Sequence, residues 1–378
     1  MKRREVAGIT IDVDIANANE LYFEDHIAKE LPGYDIESIK QYLSGRAETF
    51  IPLTVNWEIT NGCNFQCPFC YIHTSKSPVV QRNFEEAKEI IDELVHRGML
   101  FCTLTGGECL TNSNFKRIYK YLKESGVLVS VFTNGSMLDE EILQLFEQYK
   151  PYKIEVSLYG ITEEQFCKVT KQAHNKLALI LNNIIQLRDR GIKVYCKTPV
   201  TTVTSGDLPE IKQWCKTNGI LFYSSPELID TYYGESVNEY SIPADEIEEY
   251  NSRHLHNKVQ SSLRKMGKRT LLQCGAGQNF LFISYDGNIY PCSSAYGISS
   301  LEIPIKWGSF GESMDKMYLM VGQYKSAVVL GCKGCEFNDI CNECLVTQIK
   351  RKNNYIQDIE CLKYMSIFKN CGGSSDCK

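Results

Sequence analysis

The chain has 378 residues, of which 43% are hydrophobic and 23% charged, an ordinary globular composition with enough length for one large domain and a smaller one. A formal net charge of −5 argues against a nucleic-acid binder, and the lack of any run of about 18 apolar residues argues against a membrane span. The basic start Met1–Arg4 leads into no apolar segment, so we expect no signal peptide and a cytoplasmic location.

Residues 1–50 are predicted to form a separate N-terminal extension. Val6–Ile15 alternates apolar and polar residues, which indicates strand structure. Helices are predicted near Glu20–Leu31 and Ile36–Leu43.

Residues 51–235 alternate strand and helix patterns and are predicted to form one α/β domain. Asn83 and Glu86 mark a helix start, and glycines such as Gly98 mark the turns that lead back into strands. This stretch is too short for an eight-fold barrel of about 250 residues, so we expect an open barrel of six βα units. The six predicted strands are Leu53–Ile59, Phe101–Leu104, Val127–Phe132, Tyr152–Leu158, Ile192–Cys196 and Ile220–Tyr223.

The C-terminal third changes character. Residues 236–273 are rich in charge and predicted to form a bridging helical region. Residues 274–378 carry clustered cysteines and end in a glycine- and serine-rich tail. Because nothing indicates export, the chain's 17 cysteines are interpreted mainly as metal ligands rather than disulfides.

Three cysteines lie close together after the first strand of the α/β domain. Cys63, Cys67 and Cys70 share one short loop, and their soft sulfur atoms suit zinc or an iron–sulfur cluster. Three ligands leave one coordination position open for chemistry. A structural zinc knuckle is the alternative.

This spacing resembles that of the radical S-adenosylmethionine (SAM) enzymes. The resemblance implies that Cys63, Cys67 and Cys70 hold a [4Fe–4S] cluster whose fourth iron is chelated by SAM. In that family, one electron from the cluster cleaves SAM to methionine and a 5′-deoxyadenosyl radical, which takes a hydrogen atom from the substrate. The family also has a partial (βα)6 barrel, in agreement with the strand and helix pattern.

Further residues are assigned to SAM by the same resemblance. Gly106, Gly107 and Glu108 are similar to the family's GGE motif, which contacts the SAM amino group, although Cys109 replaces the proline expected next. The remaining expected contacts are Phe69 and Tyr71 at the adenine, and Asn134 and Ser157 at the ends of later strands. Shielding of the cluster is the alternative role for Phe69 and Tyr71, and a turn hydroxyl for Ser157.

The C-terminal cysteines resemble the SPASM domain of peptide- and protein-modifying radical SAM enzymes. The resemblance implies two auxiliary [4Fe–4S] clusters, one held by Cys274, Cys292 and Cys344, the other by Cys332, Cys335, Cys341 and Cys361. Cys371, Cys377 or a substrate thiolate could complete the first. A zinc ribbon built from the two CxxC pairs is the alternative.

The resemblance extends to maturases of ribosomally made peptides. It implies an enzyme that abstracts hydrogen from a precursor peptide and forms a thioether or carbon–carbon crosslink, or epimerises a residue. It also implies an electron donor such as flavodoxin or ferredoxin. Residues 1–50 could be a truncated peptide-recognition segment, with a separate protein binding the leader. The alternatives are an enzyme of the anaerobic sulfatase-maturing type and a non-catalytic zinc or electron-transfer module.

Overall fold

The computed structural model describes residues 1–17, 21–23, 39, 43, 50–72, 77–172, 176–243, 245–247, 250, 275–326 and 346. Its strands are β1 Lys2–Val6, β2 Ile9–Val13, β3 Leu21–Phe23, β4 Thr54–Glu58, β5 Phe101–Thr105, β6 Leu128–Thr133, β7 Lys153–Ser157, β8 Val194–Pro199, β9 Leu221–Ser225, β10 Phe280–Ile283, β11 Asn288–Tyr290 and β12 Ile303–Pro304. Its α-helices are α1 Phe84–His96, α2 Phe115–Glu124, α3 Glu140–Gln148, α4 Glu163–Thr170, α5 Lys176–Asp189, α6 Leu208–Thr217 and α7 Phe310–Ser326.

Strands β4 to β9 form a parallel sheet in which neighbours in sequence are neighbours in space. Parallel neighbours need a crossover connection, and each connection here contains at least one helix. Sequential right-handed crossovers place all these helices on one face and curve the sheet around the other. The predicted α/β fold class, a partial (βα)6 barrel, is therefore confirmed.

Alternate residues of the barrel strands face opposite sides. Val131, Val156 and Cys196 are fully buried in the core that includes the helices. Glu155, which precedes Val156, and Lys197, which follows Cys196, are half-buried on the opposite, concave side of the sheet. We call this side the inner face. The barrel therefore has an apolar outer layer and a polar interior.

Helix α1 begins where the sequence predicts. The Asn83 side chain accepts from the Glu86 backbone N–H at 2.9 Å, and the Glu86 carboxylate accepts from the Asn83 N–H at 3.3 Å. Sequence analysis missed α4, although Thr162 and Gln165 form the same reciprocal cap there. The T-x-x-Q spacing was the available signal.

The C-terminal part of the described chain extends the barrel sheet. Strand β10 pairs in parallel with β4, and β11 and β12 continue the sheet in antiparallel pairs. Sequence alone did not predict this pairing, because β4 and β10 lie far apart along the chain. The domain boundaries at 235 and 273 stay predictions, and most of the bridging region falls outside the described residues. Within the described residues, no helix is long and apolar enough to cross a membrane.

The N-terminal extension begins with a three-stranded antiparallel sheet. Ile9, Ile11 and Val13 are buried, as the alternating pattern predicts. The predicted helix near Glu20–Leu31 is wrong at its start, where Leu21–Phe23 instead pair with β2. Strand hydrogen bonds to β2 outweigh local helix preference there. The rest of both predicted helices lies outside the described residues, apart from Ile39 and Leu43, which are helical and buried.

Arg4 fastens this sheet to the barrel at the ends of α1 and α2. Its guanidinium is buried and donates to four backbone carbonyls, those of Val95 at 3.0 Å, Met99 at 2.8 Å, and Ser125 and Gly126 at 3.2 Å. Carbonyls at helix C-termini carry partial negative charge, so they offset the cost of burying the cation. Burial lowers the pKa of Arg4 to about 10, which leaves it charged at neutral pH.

We expect Arg4→Met to lower the free energy of unfolding by about 2 kcal/mol or more, because it leaves buried carbonyls without donors. The matched control is Arg3→Met on the same strand. The Arg3 side chain is 76% exposed and pairs with Asp12, so its loss should cost less than about 1 kcal/mol. Chemical denaturation monitored by circular dichroism would measure both, and equal effects would contradict the role of Arg4.

Glu58, the last residue of β4, ties the barrel to the β10–β11 hairpin. Its buried carboxyl accepts from the Tyr232 hydroxyl at 2.8 Å and from the Tyr285 backbone N–H at 3.4 Å. Tyr232 also stacks on Tyr296, with ring centroids 3.5 Å apart. Burial raises the pKa of Glu58 to about 8 although both hydrogen bonds favour the ionised form.

This shift predicts a pH dependence of folding. The folded protein keeps a proton on Glu58 that the unfolded chain releases above its ordinary pKa of 4.5, so stability falls as pH rises toward 8. The free energy of unfolding of Glu58→Gln, minus that of the original chain, should therefore rise by up to about 1.4 kcal/mol per pH unit between about pH 5 and pH 8. Above about pH 8 this difference should stay constant. Urea denaturation across this range measures the difference, and a constant difference at all pH values would contradict the shift.

Candidate active site

The three-cysteine loop follows β4 at the carboxyl end of the barrel. Cys63, Cys67 and Cys70 are all half-buried. The Cys70 N–H donates to the Cys67 carbonyl at 3.1 Å, and the Phe65 N–H donates to the Cys63 sulfur at 3.3 Å. These local bonds form a compact turn, and the three thiols lie close enough to influence one another's ionisation.

The surroundings of these thiols fit a positively charged metal group. Burial raises the pKa of Cys63 to about 12 and also raises that of Cys67, and the neighbouring thiolates add to both shifts, as does Glu108 at Cys63. Thiolates bind metals, so the loop needs a compensating cationic centre to hold all three sulfurs ionised. Among the described residues, no three His, Cys, Asp or Glu side chains are placed so that they could bind one metal ion together.

Gly106 and Gly107 pack directly on the cysteine loop. The Gly107 N–H donates to the Thr60 carbonyl at 3.0 Å, and the Glu108 N–H donates to the Gly62 carbonyl at 2.7 Å. A Cβ atom on Gly106 would lie 2.1 Å from the Thr60 carbonyl oxygen, and one on Gly107 would lie 2.4 Å from that of Gly62. Gly106 also has a φ of +132°, so only glycine fits.

Glu108 points into the protein and organises the loops beside it. Its fully buried carboxylate accepts from the Leu110 N–H at 3.0 Å, the Thr133 hydroxyl at 2.8 Å and the Asn134 N–H at 2.6 Å. It therefore joins the end of β5 to the end of β6. Burial raises its pKa and these donors oppose the rise. Cys109, also buried, donates from its thiol to the Phe132 carbonyl at 3.2 Å.

Asn134 links the end of β6 to the cysteine loop. Its amide group donates to the Asn64 side chain at 2.8 Å and lies 3.9 Å from the Cys63 sulfur. Its carbonyl oxygen accepts from the Ser136 N–H at 2.9 Å. The structure thus brings this predicted residue to the cysteines.

Ser157 reaches the same region through a residue that sequence analysis missed. Tyr159 lies two residues after Ser157 and hydrogen-bonds with both Ser157 and Cys67. Burial raises the pKa of the Tyr159 hydroxyl well above its ordinary value, so it stays protonated. Tyr159 directly follows the predicted strand Tyr152–Leu158, and this position was the available signal.

Phe69 and Tyr71 are packed among other aromatic rings. Phe69 is buried and contacts Tyr159 edge-on, with centroids 5.7 Å apart. Tyr71 meets Tyr232 at 5.2 Å, and its carbonyl accepts from the Tyr232 N–H at 2.8 Å. Each ring thus packs against a tyrosine from another part of the chain, and both adenine contact and shielding of the cluster stay predictions.

The structure describes one of the predicted auxiliary ligands. Cys292 is half-buried and follows β11, on the hairpin that Glu58 ties to the barrel. The others, Cys274, Cys332, Cys335, Cys341, Cys344 and Cys361, lie outside the described residues, as do Cys371 and Cys377. The auxiliary assignments stay predictions.

Comparisons with known proteins match this site. Residues 57–215, from the end of β4 to α6, fit the family model of the Radical SAM superfamily. The chain is 26% identical over 255 residues to the subtilosin biosynthesis protein AlbA of Bacillus subtilis. That alignment covers 66% of this chain and 57% of AlbA, so the chain spans little more than half of that relative.

Two further similarities extend over most of the chain. It is 25% identical to the AdoMet-dependent heme synthase of Methanosarcina barkeri, across 82% of this chain and 96% of that protein. The crystal structure of Streptococcus suis SuiB bound to S-adenosylmethionine superposes with a TM-score of 0.61 at 16% identity, covering 86% of this chain and 82% of SuiB, and so shares the fold. The family match and the three-cysteine loop together show that this chain contains a radical SAM domain.

Proposed function

We propose that this protein is a radical SAM enzyme that modifies a peptide. The observation that carries the proposal is the cysteine loop, packed against a pair of glycines at the carboxyl end of a parallel barrel. Active sites of such barrels lie at this end. The relative AlbA is named for the biosynthesis of a bacteriocin, which supports a peptide as the substrate.

In this proposal Cys63, Cys67 and Cys70 hold a [4Fe–4S] cluster. The half-buried backbone of Gly106 and Gly107 and the side chains of Asn134 and Ser157 bind SAM beside it. A cluster and SAM held by these residues would supply the radical chemistry that takes hydrogen from the substrate. Glu108 holds the two loops in place from beneath, since its carboxylate is taken up by protein donors.

Partners follow from the same proposal. A flavodoxin or ferredoxin supplies the electron for SAM cleavage. The N-terminal sheet of β1 to β3 contributes to peptide recognition, with a separate protein binding the leader. Auxiliary clusters held by the C-terminal cysteines would accept the electron left by hydrogen abstraction or would anchor the substrate.

A second candidate is modification of a porphyrin. The heme synthase aligns over 96% of its own length, a larger share than AlbA provides. The two candidates predict different substrates for the same radical chemistry.

Cys63→Ala, Cys67→Ala and Cys70→Ala should each lower bound iron by about four atoms per chain and abolish 5′-deoxyadenosine formation. Iron analysis and chromatography after anaerobic reconstitution measure both. The control is Cys102→Ala, whose thiol is buried in β5 and should be dispensable. With three clusters the original chain should hold about twelve irons, and a value near four would contradict the auxiliary clusters. SAM cleavage by any of the three loop variants would contradict the proposed function.

Mass spectrometry after turnover distinguishes the two substrates. We expect a peptide encoded beside this gene to lose two hydrogens on crosslinking, or to take up solvent deuterium without other mass change on epimerisation. An iron porphyrin probe should be unchanged. Formation of heme from the iron porphyrin, with the peptide intact, would favour the second candidate.

A further inference from the structure

Three charged side chains lie together on the inner face of the barrel. Lys153 and Glu155 are on β7, and Lys197 is on β8, where it pairs in register with Ser157. Strand alternation keeps them on the side away from the helices. We call Lys153, Glu155 and Lys197 the inner-face triad.

The triad has more cations than anions. The Glu155 carboxylate lies 2.5 Å from the Lys153 ammonium and 3.3 Å from that of Lys197. One carboxylate thus serves two ammonium groups, and it lies closer to Lys153. The triad carries one net positive charge, and Lys197 is the more weakly paired cation.

Lys197 is also held where water reaches it poorly. Its side chain is 28% exposed, and its ammonium lies 3.4 Å from the centroid of the Phe132 ring. Burial lowers its pKa, and the attraction of Glu155 only partly offsets this. A second anion beside Lys197 would complete its pairing, and only the anion would still have to lose water, because the lysine is already largely desolvated.

The position of the ammonium separates it from the predicted SAM contacts. Phe132 and Glu155 are opposite each other across β6 and β7, one layer deeper in the barrel than Ser157. Lys197 reaches down to this layer, because its ammonium contacts both residues. Gly106, Gly107 and Asn134 lie at or beyond the strand ends. The ammonium therefore lies on the inner face one residue layer deeper than the predicted SAM contacts.

We propose that Lys197 binds a carboxylate of the substrate inside the barrel, which makes an acidic peptide side chain the preferred ligand. This inference rests on the proposed function for the identity of the substrate. The carboxylate of SAM has the same chemistry, and the test separates the two sources.

The experiment uses the reconstituted full-length protein with SAM bound, and two probes of equal size, N-acetyl-glutamate amide and N-acetyl-glutamine amide. Saturation-transfer NMR should show contact with the glutamate probe at least about threefold stronger than with the glutamine probe. Lys197→Met should remove this difference. Lys153→Met is the matched control, with the same substitution at a lysine that shares Glu155, and should keep it. Glu155→Gln should strengthen glutamate binding, because it removes the competing carboxylate.

SAM affinity, measured by calorimetry, gives the second arm. In Lys197→Met it should stay within about twofold of the original value, which also shows that the variant is folded. Equal signals for the two probes, or a glutamate signal that survives Lys197→Met, would overturn the proposal. So would a loss of SAM affinity of about tenfold in Lys197→Met, which would assign Lys197 to the SAM carboxylate. Probe binding needs no turnover, so an original chain that fails to cleave SAM would count against the proposed function alone.

Discussion

The close approach of two backbone segments sets the geometry of this site. The chain after β5 lies so near the chain after β4 that no side chain fits between them at Gly106 or Gly107. Backbone hydrogen bonds from Gly107 and Glu108 use this proximity to fix the start of the cysteine loop. Because the loop is fixed from below, its three thiols can be presented from a turn of only eight residues. A metal group bound there would meet ligands already in place.

Buried carboxyl groups connect this contact to the rest of the barrel end. Glu108 accepts hydrogen bonds from residues at the ends of β5 and β6. One of these donors, Asn134, also contacts the Cys63 sulfur through its side-chain amide. Glu58, on the neighbouring β4, accepts hydrogen bonds from Tyr232 and Tyr285 and so connects the barrel to the C-terminal hairpin. A buried carboxyl group without hydrogen-bond partners would be costly in such places, so each one restrains the loops that supply its donors. The loop ends are thereby coupled by polar contacts, whereas the strands beneath them are held by an apolar layer.

The opposite end of the barrel is closed in a different way. There Arg4 brings the N-terminal sheet to the carbonyls at the ends of two helices, far from the cysteines along each strand. The polar inner face, with its excess of positive charge around Glu155, lies between the two ends.

Local sequence determined much of this protein. The pattern of apolar residues located all six barrel strands to within two or three residues. The asparagine cap of α1 could also be predicted, because it depends on a contact between residues only three positions apart. The cysteine spacing and the GGE run predicted which loops meet at the site, since parallel strands bring their carboxyl ends to one edge. Only the tertiary structure decided what those residues contact. The pairing of β10 with β4, the donors of Glu58 and Glu108, the role of Tyr159 and the sharing of Glu155 by two lysines all join residues from different elements. Such contacts depend on how the sheet curves and which strands become neighbours, and no local pattern in the chain encodes them.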